Sequence, residues 1–269
     1  MKNYIIKRYL KYLGIIPNNC VYCLKDLEIE KLKINQDEDL QQNFDFEYIC
    51  KDCLKKYLNK FNVCIDKISI NKNTIIKHIY LGKYNKIKDE IMDIKYFDKQ
   101  YILKAIIEIT IKDIIINIED NKKSDFIMIY IPTTLQKIIE RGNISKYICK
   151  KIRYEIGKNN SFKKGEIKVK KICTIAKVEK DIEMKKLNKE ERNIKVKEKY
   201  CYIKGNFLEK YIKENIRQND IKIMIVDDVY TTGATMKNIL EMIENNIMKN
   251  LGNEEKHNIE YIFFSLAKD

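Results

Sequence analysis

The sequence predicts an α/β fold, with a mainly parallel sheet flanked by helices and a small cysteine-bearing module ahead of it. Three observations lead there. Short apolar runs alternate with segments of helical period in the C-terminal part of the chain. One of those runs ends in two aspartates and a small, hydroxyl-rich stretch that opens a helix. Four cysteines near the N-terminus form two Cys-x-x-Cys pairs in a region with no sustained period of either kind.

A chain of 269 residues has room for one substantial domain and a small one, read here as residues 1–67 and 68–269. With 45% hydrophobic residues and only 2 Pro and 8 Gly, the composition is globular rather than linker-rich. The formal net charge of +14 favours phosphate-bearing ligands or nucleic acid. Part of that lysine content accompanies an abundance of Ile, Asn and Tyr, all encodable by A/T-rich codons. Met1 to Leu13 lacks the continuous apolar core of a secretory signal. The most apolar stretch, Tyr101 to Ile118, is interrupted by Lys104, Glu108, Lys112 and Asp113. The expectation is a cytoplasmic protein without a membrane span.

In the module, Cys20, Cys23, Cys50 and Cys53 offer four thiolates, the ligand set of a closed tetrahedral structural zinc site. Residues 24–49 make a longer interval than the usual ~15–20 of such sites, so the acidic stretch from Glu28 to Asn43 is read as an insertion that loops out. A redox pair or unbound thiols are the alternatives. A module this short also needs a staple to fold. Cys64 has no Cys partner at metal-ligand spacing, and Cys149, Cys173 and Cys201 read as buried small apolar residues. His78 and His257 are isolated and belong to no visible catalytic constellation.

Beyond Thr74, Ile102, Ile106, Ile109 and Ile116 sit near helical spacing, as do Ile144, Ile148, Ile152 and Ile156, the second run ending at Gly157 where a C-cap favours Gly. The β-branching of the first run argues for strand against its period. Three apolar runs read as buried strands: Phe126 to Ile131 stopped by Pro132, Lys222 to Val226 stopped by Asp227, and Ile259 to Leu266. Ile239, Leu240, Ile243 and Ile247 place a helix after Thr235. In such a sheet, ligands collect at the carboxyl ends of the strands.

The segment from Ile223 to Thr235 carries the strongest chemical signal. A buried strand delivers Asp227 and Asp228, whose carboxylates only accept and so suit the hydroxyls of a ribose. Thr231, Thr232, Gly233, Ala234 and Thr235 then form a turn into a helix whose N-terminal amides and dipole favour phosphate. Mg²⁺, which binds through substrate phosphates, suits a diphosphate held there. The bland alternative is a strand end followed by a threonine helix cap.

This segment resembles the signature by which type I phosphoribosyltransferases bind phosphoribosyl diphosphate (PRPP), and further stretches resemble one branch of them, the ComF family of competence-associated proteins. Ile94-Lys95-Tyr96, Ile131-Pro132 with Arg141-Gly142-Asn143, Leu187 to Arg192, Ser265-Leu266-Ala267 and the N-terminal Cys pairs all match that branch. Departures fall in two places. A Phe is missing between Gly142 and Asn143 with Ile144 where Gln is usual, and Asp181, Met184 and Lys195 replace Thr, Gln and Asn of the flexible loop. The resemblance implies a type I phosphoribosyltransferase-like fold with an N-terminal zinc ribbon, PRPP bound with Mg²⁺, and Lys95 and Arg141 as contacts to the diphosphate. It implies catalytic roles for Asp227 and Asp228, and as partners single-stranded DNA and the helicase-like ATPase of DNA import in natural transformation. Two classes of function stay open: a phosphoribosyltransferase, nucleobase salvage included, and a non-catalytic single-stranded-DNA-binding protein that keeps the PRPP fold.

Overall fold

In the computed structural model the chain divides into two compact units, Met1–Lys60 and Phe61–Asp269. The structure describes residues 50, 52, 53 and 55 and the chain from 59 onward, apart from 71–74, 97–99, 119–123, 159–166, 183–186, 218 and 253–258. The division falls between Lys60 and Phe61 rather than near residue 67, which places Cys64 in the larger unit.

The larger unit is α/β. Its sheet has six strands in the order β1-β2-β8-β7-β3-β4: β1 (Cys64–Ser69), β2 (Ile75–Tyr80), β3 (Ser124–Tyr130), β4 (Lys168–Cys173), β7 (Asp220–Tyr230) and β8 (Ile259–Lys268). Only β1 runs antiparallel, along β2. All other neighbours are parallel. A separate two-stranded antiparallel ladder joins β5 (Ala176–Val178) to β6 (Tyr200–Tyr202). The helices are α1 (Tyr84–Tyr96), α2 (Gln100–Ile118), α3 (Leu135–Arg141), α4 (Ile144–Lys158), α5 (Lys189–Lys199), α6 (Phe207–Asn215) and α7 (Ala234–Asn246).

The run Ile221 to Val226, apolar apart from Lys222, is buried along its length, as expected of a central parallel strand covered on both faces. Ile221, Ile223 and Ile225 point into a core shared with Met236, Ile239 and Ile243 of α7 and with Leu208 and Ile212 of α6. By strand alternation the intervening residues face the other side, where α4 packs on β7, α2 on α4 and α1 on β8. Lys222 is on that side, and its buried ammonium donates to the carbonyl of Ile118 at 2.7 Å.

The expected helices over Ile102–Ile116 and Ile144–Ile156 form as α2 and α4. In α2, burial of Ile102, Ile106, Ile107, Ile111, Ile114 and Ile115 outweighs the strand preference of isoleucine. Helix α4 runs one residue past Gly157, so that glycine is not its cap. Among the described residues no helix is long and apolar enough to cross a membrane.

The largest departure from expectation is at the end of β7. The strand does not stop at Asp227. Pairing with β3 ends at Tyr130 opposite Val226, but pairing with β8 continues, Asp227 opposite Ser265, Val229 opposite Ala267 and Tyr230 opposite Lys268. The last four residues of β7 therefore extend beyond β3 as a one-sided ladder, which keeps the backbone extended while leaving polar side chains accessible.

Candidate functional site

Asp227 and Asp228 lie on this one-sided extension at the carboxyl edge of the sheet. The amide of Asp228 donates to Asp227 Oδ1 at 2.9 Å. Lys95, in the last turn of α1, reaches across to Asp228 Oδ2 at 2.6 Å. Burial works to lower the pKa of Lys95, but the Asp228 carboxylate, joined by Asp227 and Tyr84, outweighs it and holds the ammonium above the ordinary lysine range. Asp227 goes the other way. Burial, and then the adjacent Asp228 carboxylate, push its carboxyl far above the ordinary aspartate value, against the lowering influence of the Asp228 amide and of Lys95.

The turn that follows is compact. Gly233 has φ 72° and occupies the N-cap position of α7. A β-carbon there would overlap the phenol oxygen and ring of Tyr230, so position 233 needs glycine for both backbone and space. The Ala234 amide donates to Thr232 Oγ1 at 3.3 Å. The N-cap position is Gly233, with no side-chain hydrogen bond of its own, and the threonine that meets a helix amide is Thr232, one residue before it. Thr235 falls within the first turn of the helix.

Arg192 adds a second cation. Asn188 and Glu191 form a reciprocal capping box that starts α5. This sets Arg192 in the first turn, where its Nη1 donates to Thr231 Oγ1 at 3.4 Å. At the far end of α5, Lys199 donates to the carbonyl of Ile182 at 3.3 Å. Burial lowers the pKa of Lys199, as does Lys137, with Asp181 and Asp227 opposing. The phenol of Tyr200 is raised by burial and then by Asp227 and Asp228. Lys199 thus stands in the field of Asp227, and Tyr200 in that of both carboxylates.

On the β3 side, Asn143 ties two segments together. Its Nδ2 donates to the Ile131 carbonyl at 3.0 Å and its Oδ1 accepts from the Lys146 amide at 2.9 Å, fixing the start of α4 to the end of β3. Arg141 ends α3 just before Gly142, and its side chain lies outside the described residues.

Of the sequence-based expectations, Asp227, Asp228, Lys95 and the turn Thr231–Thr235 come together here. Arg192 had been noted only as part of a matching stretch, and Lys199 and Tyr200 carried no signal, since they sit in a lysine-rich run whose partners are distant in sequence.

Cys50 and Cys53 are half-buried, Cys53 on a helical segment, while Cys20 and Cys23 lie outside the described residues. No group of three or more potential metal ligands occurs among the described residues. Cys149 is fully buried and Cys173 half-buried, and burial pushes the Cys173 thiol up to about 12. Cys201 departs from the apolar reading: its thiol donates to Glu179 Oε2 at 3.2 Å. His78 is buried within the sheet, and His257 lies outside the described residues. Compared with protein-family models the chain matches none, and no curated protein matches it.

Proposed function

We propose that the carboxyl edge of β7 binds PRPP as its magnesium complex, in a ComF-like phosphoribosyltransferase relative. The observation that carries this reading is the juxtaposition of two carboxylates on a half-buried, one-sided strand extension with a glycine-bearing turn that leads directly into α7. Asp227 and Asp228 accept from the ribose hydroxyls, and the hydroxyls and amides of Thr231–Thr235 receive the 5′-phosphate. Lys95 offsets the charge of Asp228, and Arg192 stands at the turn to meet further phosphate oxygens. Oxygen donors of this kind suit Mg²⁺, which when bound neutralises diphosphate charge. If transfer occurs, positive charge develops at the sugar as diphosphate leaves, and the paired carboxylates stabilise it electrostatically. The test is calorimetric titration of PRPP with and without Mg²⁺, followed by a diphosphate-release assay with nucleobases. No heat in Mg²⁺ refutes the reading; heat without release leaves a binding protein rather than an enzyme.

A second reading, single-stranded-DNA binding in DNA uptake, is favoured by one observation. A cleft of about 700 Å³ along α4 is lined by Lys146, Lys150, Arg153, Lys171 and Tyr154. Such a surface gains affinity from counterion release, so binding to an oligonucleotide should weaken steeply with salt; a salt-independent constant removes the argument. For the cysteine module we propose one structural zinc held by Cys20, Cys23, Cys50 and Cys53, with metal analysis of the purified protein giving one zinc per chain; none, or two, refutes it.

A further inference from the structure

Beside the carboxylates, on the same edge of the sheet, lies a neutral cluster that the ligand contacts just described do not use. His78 of β2 is fully buried. Its Nε2 is 2.9 Å from Ser265 Oγ, and that hydroxyl donates to the carbonyl of Ala267 at 2.9 Å. With its one proton committed to Ala267, the serine oxygen accepts from the ring, which sets the Nε2–H tautomer. Nδ1 is then a bare acceptor, and it has no hydrogen-bond partner among the described residues. Protonation there would bury a charge and an N–H without an acceptor. Burial, with Lys268 adding and Asp66 opposing, accordingly lowers the histidine to about 4.

The ring has a second neighbour. Its centroid lies 4.4 Å from that of Tyr230, inclined by 40°, and Tyr80 flanks it at 5.2 Å. Tyr230 is the residue whose ring fills the space under Gly233. Two contacts thus connect a buried histidine on β2 to the turn before α7: His78 against Tyr230, and Tyr230 against Gly233. The Tyr230 carbonyl is itself held by the amide of Asp269 at 2.9 Å, so the ring is what remains to be oriented.

We infer that His78 is a positioning residue for the turn Thr231–Thr235: its neutral imidazole, anchored on Ser265, sets the Tyr230 ring on which Gly233 rests. The inference rests on the PRPP reading for its consequence in binding, but the geometry of the turn is measurable without ligand. A fixed ring holds the turn amides convergent before any phosphate arrives, which limits the ordering cost of binding.

His78→Leu keeps apolar volume and removes both the ring and its hydrogen bond, whereas His78→Phe keeps the ring. Amide hydrogen exchange of the ligand-free protein is the first measurement. His78→Leu should speed exchange across Thr231–Thr235 by about tenfold, the worth of one aromatic contact, while Ile221–Val226 stays protected and His78→Phe stays near wild type. Equal exchange in folded His78→Leu and wild type overturns the inference. The second measurement uses PRPP with Mg²⁺. Affinity should fall about tenfold in His78→Leu and recover in His78→Phe. If wild type gives no calorimetric signal, the PRPP reading fails and the exchange data alone decide the positioning role. Should His78→Leu not fold, the wild-type imidazole ¹⁵N resonances decide: the chain has only 2 His, so the His78 signal is identified by its loss in His78→Phe. Its ligand-free shifts must be those of a neutral ring protonated at Nε2, and shifts of the Nδ1–H tautomer or of an imidazolium at neutral pH overturn the inference.

Discussion

Two polar clusters are neighbours on the carboxyl edge of the sheet, Asp227 standing opposite Ser265 in the register of β7 and β8, and the fold treats them in opposite ways. In the cluster of His78, Ser265 and Tyr230, the serine proton goes to the Ala267 carbonyl, the serine oxygen meets Nε2 of the ring, and the ring is held neutral. In the cluster of Asp227, Asp228 and Lys95, two carboxylates are adjacent, and burial works against the charge of the first. The neutral cluster, held by its two hydrogen bonds with the acceptor Nδ1 left unpartnered among the described residues, serves as support. A cluster whose charge is disfavoured in the unliganded protein gains when hydroxyl donors and a cation arrive.

Changing both Asp227 and Asp228 to Asn is the strongest test of that contrast. It removes two charge-assisted hydrogen-bonding groups, of about 1.5–3 kcal/mol each, so PRPP affinity in Mg²⁺ should fall by at least about a hundredfold. The melting temperature should change little, because Asn relieves the cost of burying the Asp227 charge while it deprives Lys95 of its Asp228 counter-ion. Undiminished affinity in a folded double variant would sink the ligand reading. Gly233→Ala tests the meeting of the two clusters. It places a side chain at φ 72° and against the Tyr230 ring, at a cost of roughly 2–5 kcal/mol from left-handed backbone strain and overpacking together. Denaturant unfolding measures it, and a loss below the backbone component alone would mean that Tyr230 does not support the turn.

The clusters also differ in the sign of their pH dependence. Because the histidine is lowered from 6.5 to about 4 in the fold, the unfolded chain takes up its proton first as pH falls. The stability that neutral His78 contributes is complete above pH 6.5 and is lost toward pH 4, by about 3 kcal/mol. Asp227 is raised in the fold, so its penalty is absent below the ordinary aspartate pKa and grows as pH rises through the raised one. Urea unfolding from pH 4 to 6.5 should therefore give a shallower rise for His78→Phe than for wild type, and a steeper rise for Asp227→Asn. Parallel curves for all three proteins would show that neither group is perturbed by its surroundings.

How far the sequence foretold this edge depended on the kind of signal. The runs starting at Phe126, Lys222 and Ile259 were legible because a doubly covered strand is apolar over most of its length. β1 and β2 were not, since Asp66, Lys67, Lys77 and His78 break the apolar run. The extension of β7 to Tyr230 was hidden for a related reason: its pairing with β8 is a backbone property, indifferent to the two aspartates. Within the site, the local unit from Asp227 to Thr235 could be read because its parts are consecutive. Long-range contacts, Lys95 to Asp228 and Arg192 to Thr231, depended on resemblance or on the fold itself. His78 looked isolated because its partners Ser265 and Tyr230 lie at the other end of the chain.

The smallest expected effect is at Thr235. This residue lies in the first turn of α7, behind a cap that is Gly233, so its hydroxyl is not needed to start the helix. Thr235→Val keeps the branched shape and removes one hydroxyl. If that hydroxyl donates to a phosphate oxygen, PRPP affinity should drop by the worth of one hydrogen bond, about 1 kcal/mol and at most about 3, while the backbone amides of the turn go on holding the rest. Stability should stay within about 0.5 kcal/mol of wild type, the usual range for a substitution that disturbs neither core nor cap. The effect on binding should be less than additive with that of His78→Leu, because the turn that His78 holds in place is the one that presents this hydroxyl. A Thr235→Val protein that melts early and binds normally would assign the hydroxyl to the helix start and remove it from the site. One that binds weakly and melts normally, with losses that fall short of adding to those of His78→Leu, would mark Thr235 as a residue that touches phosphate and His78 as one that holds the turn presenting it.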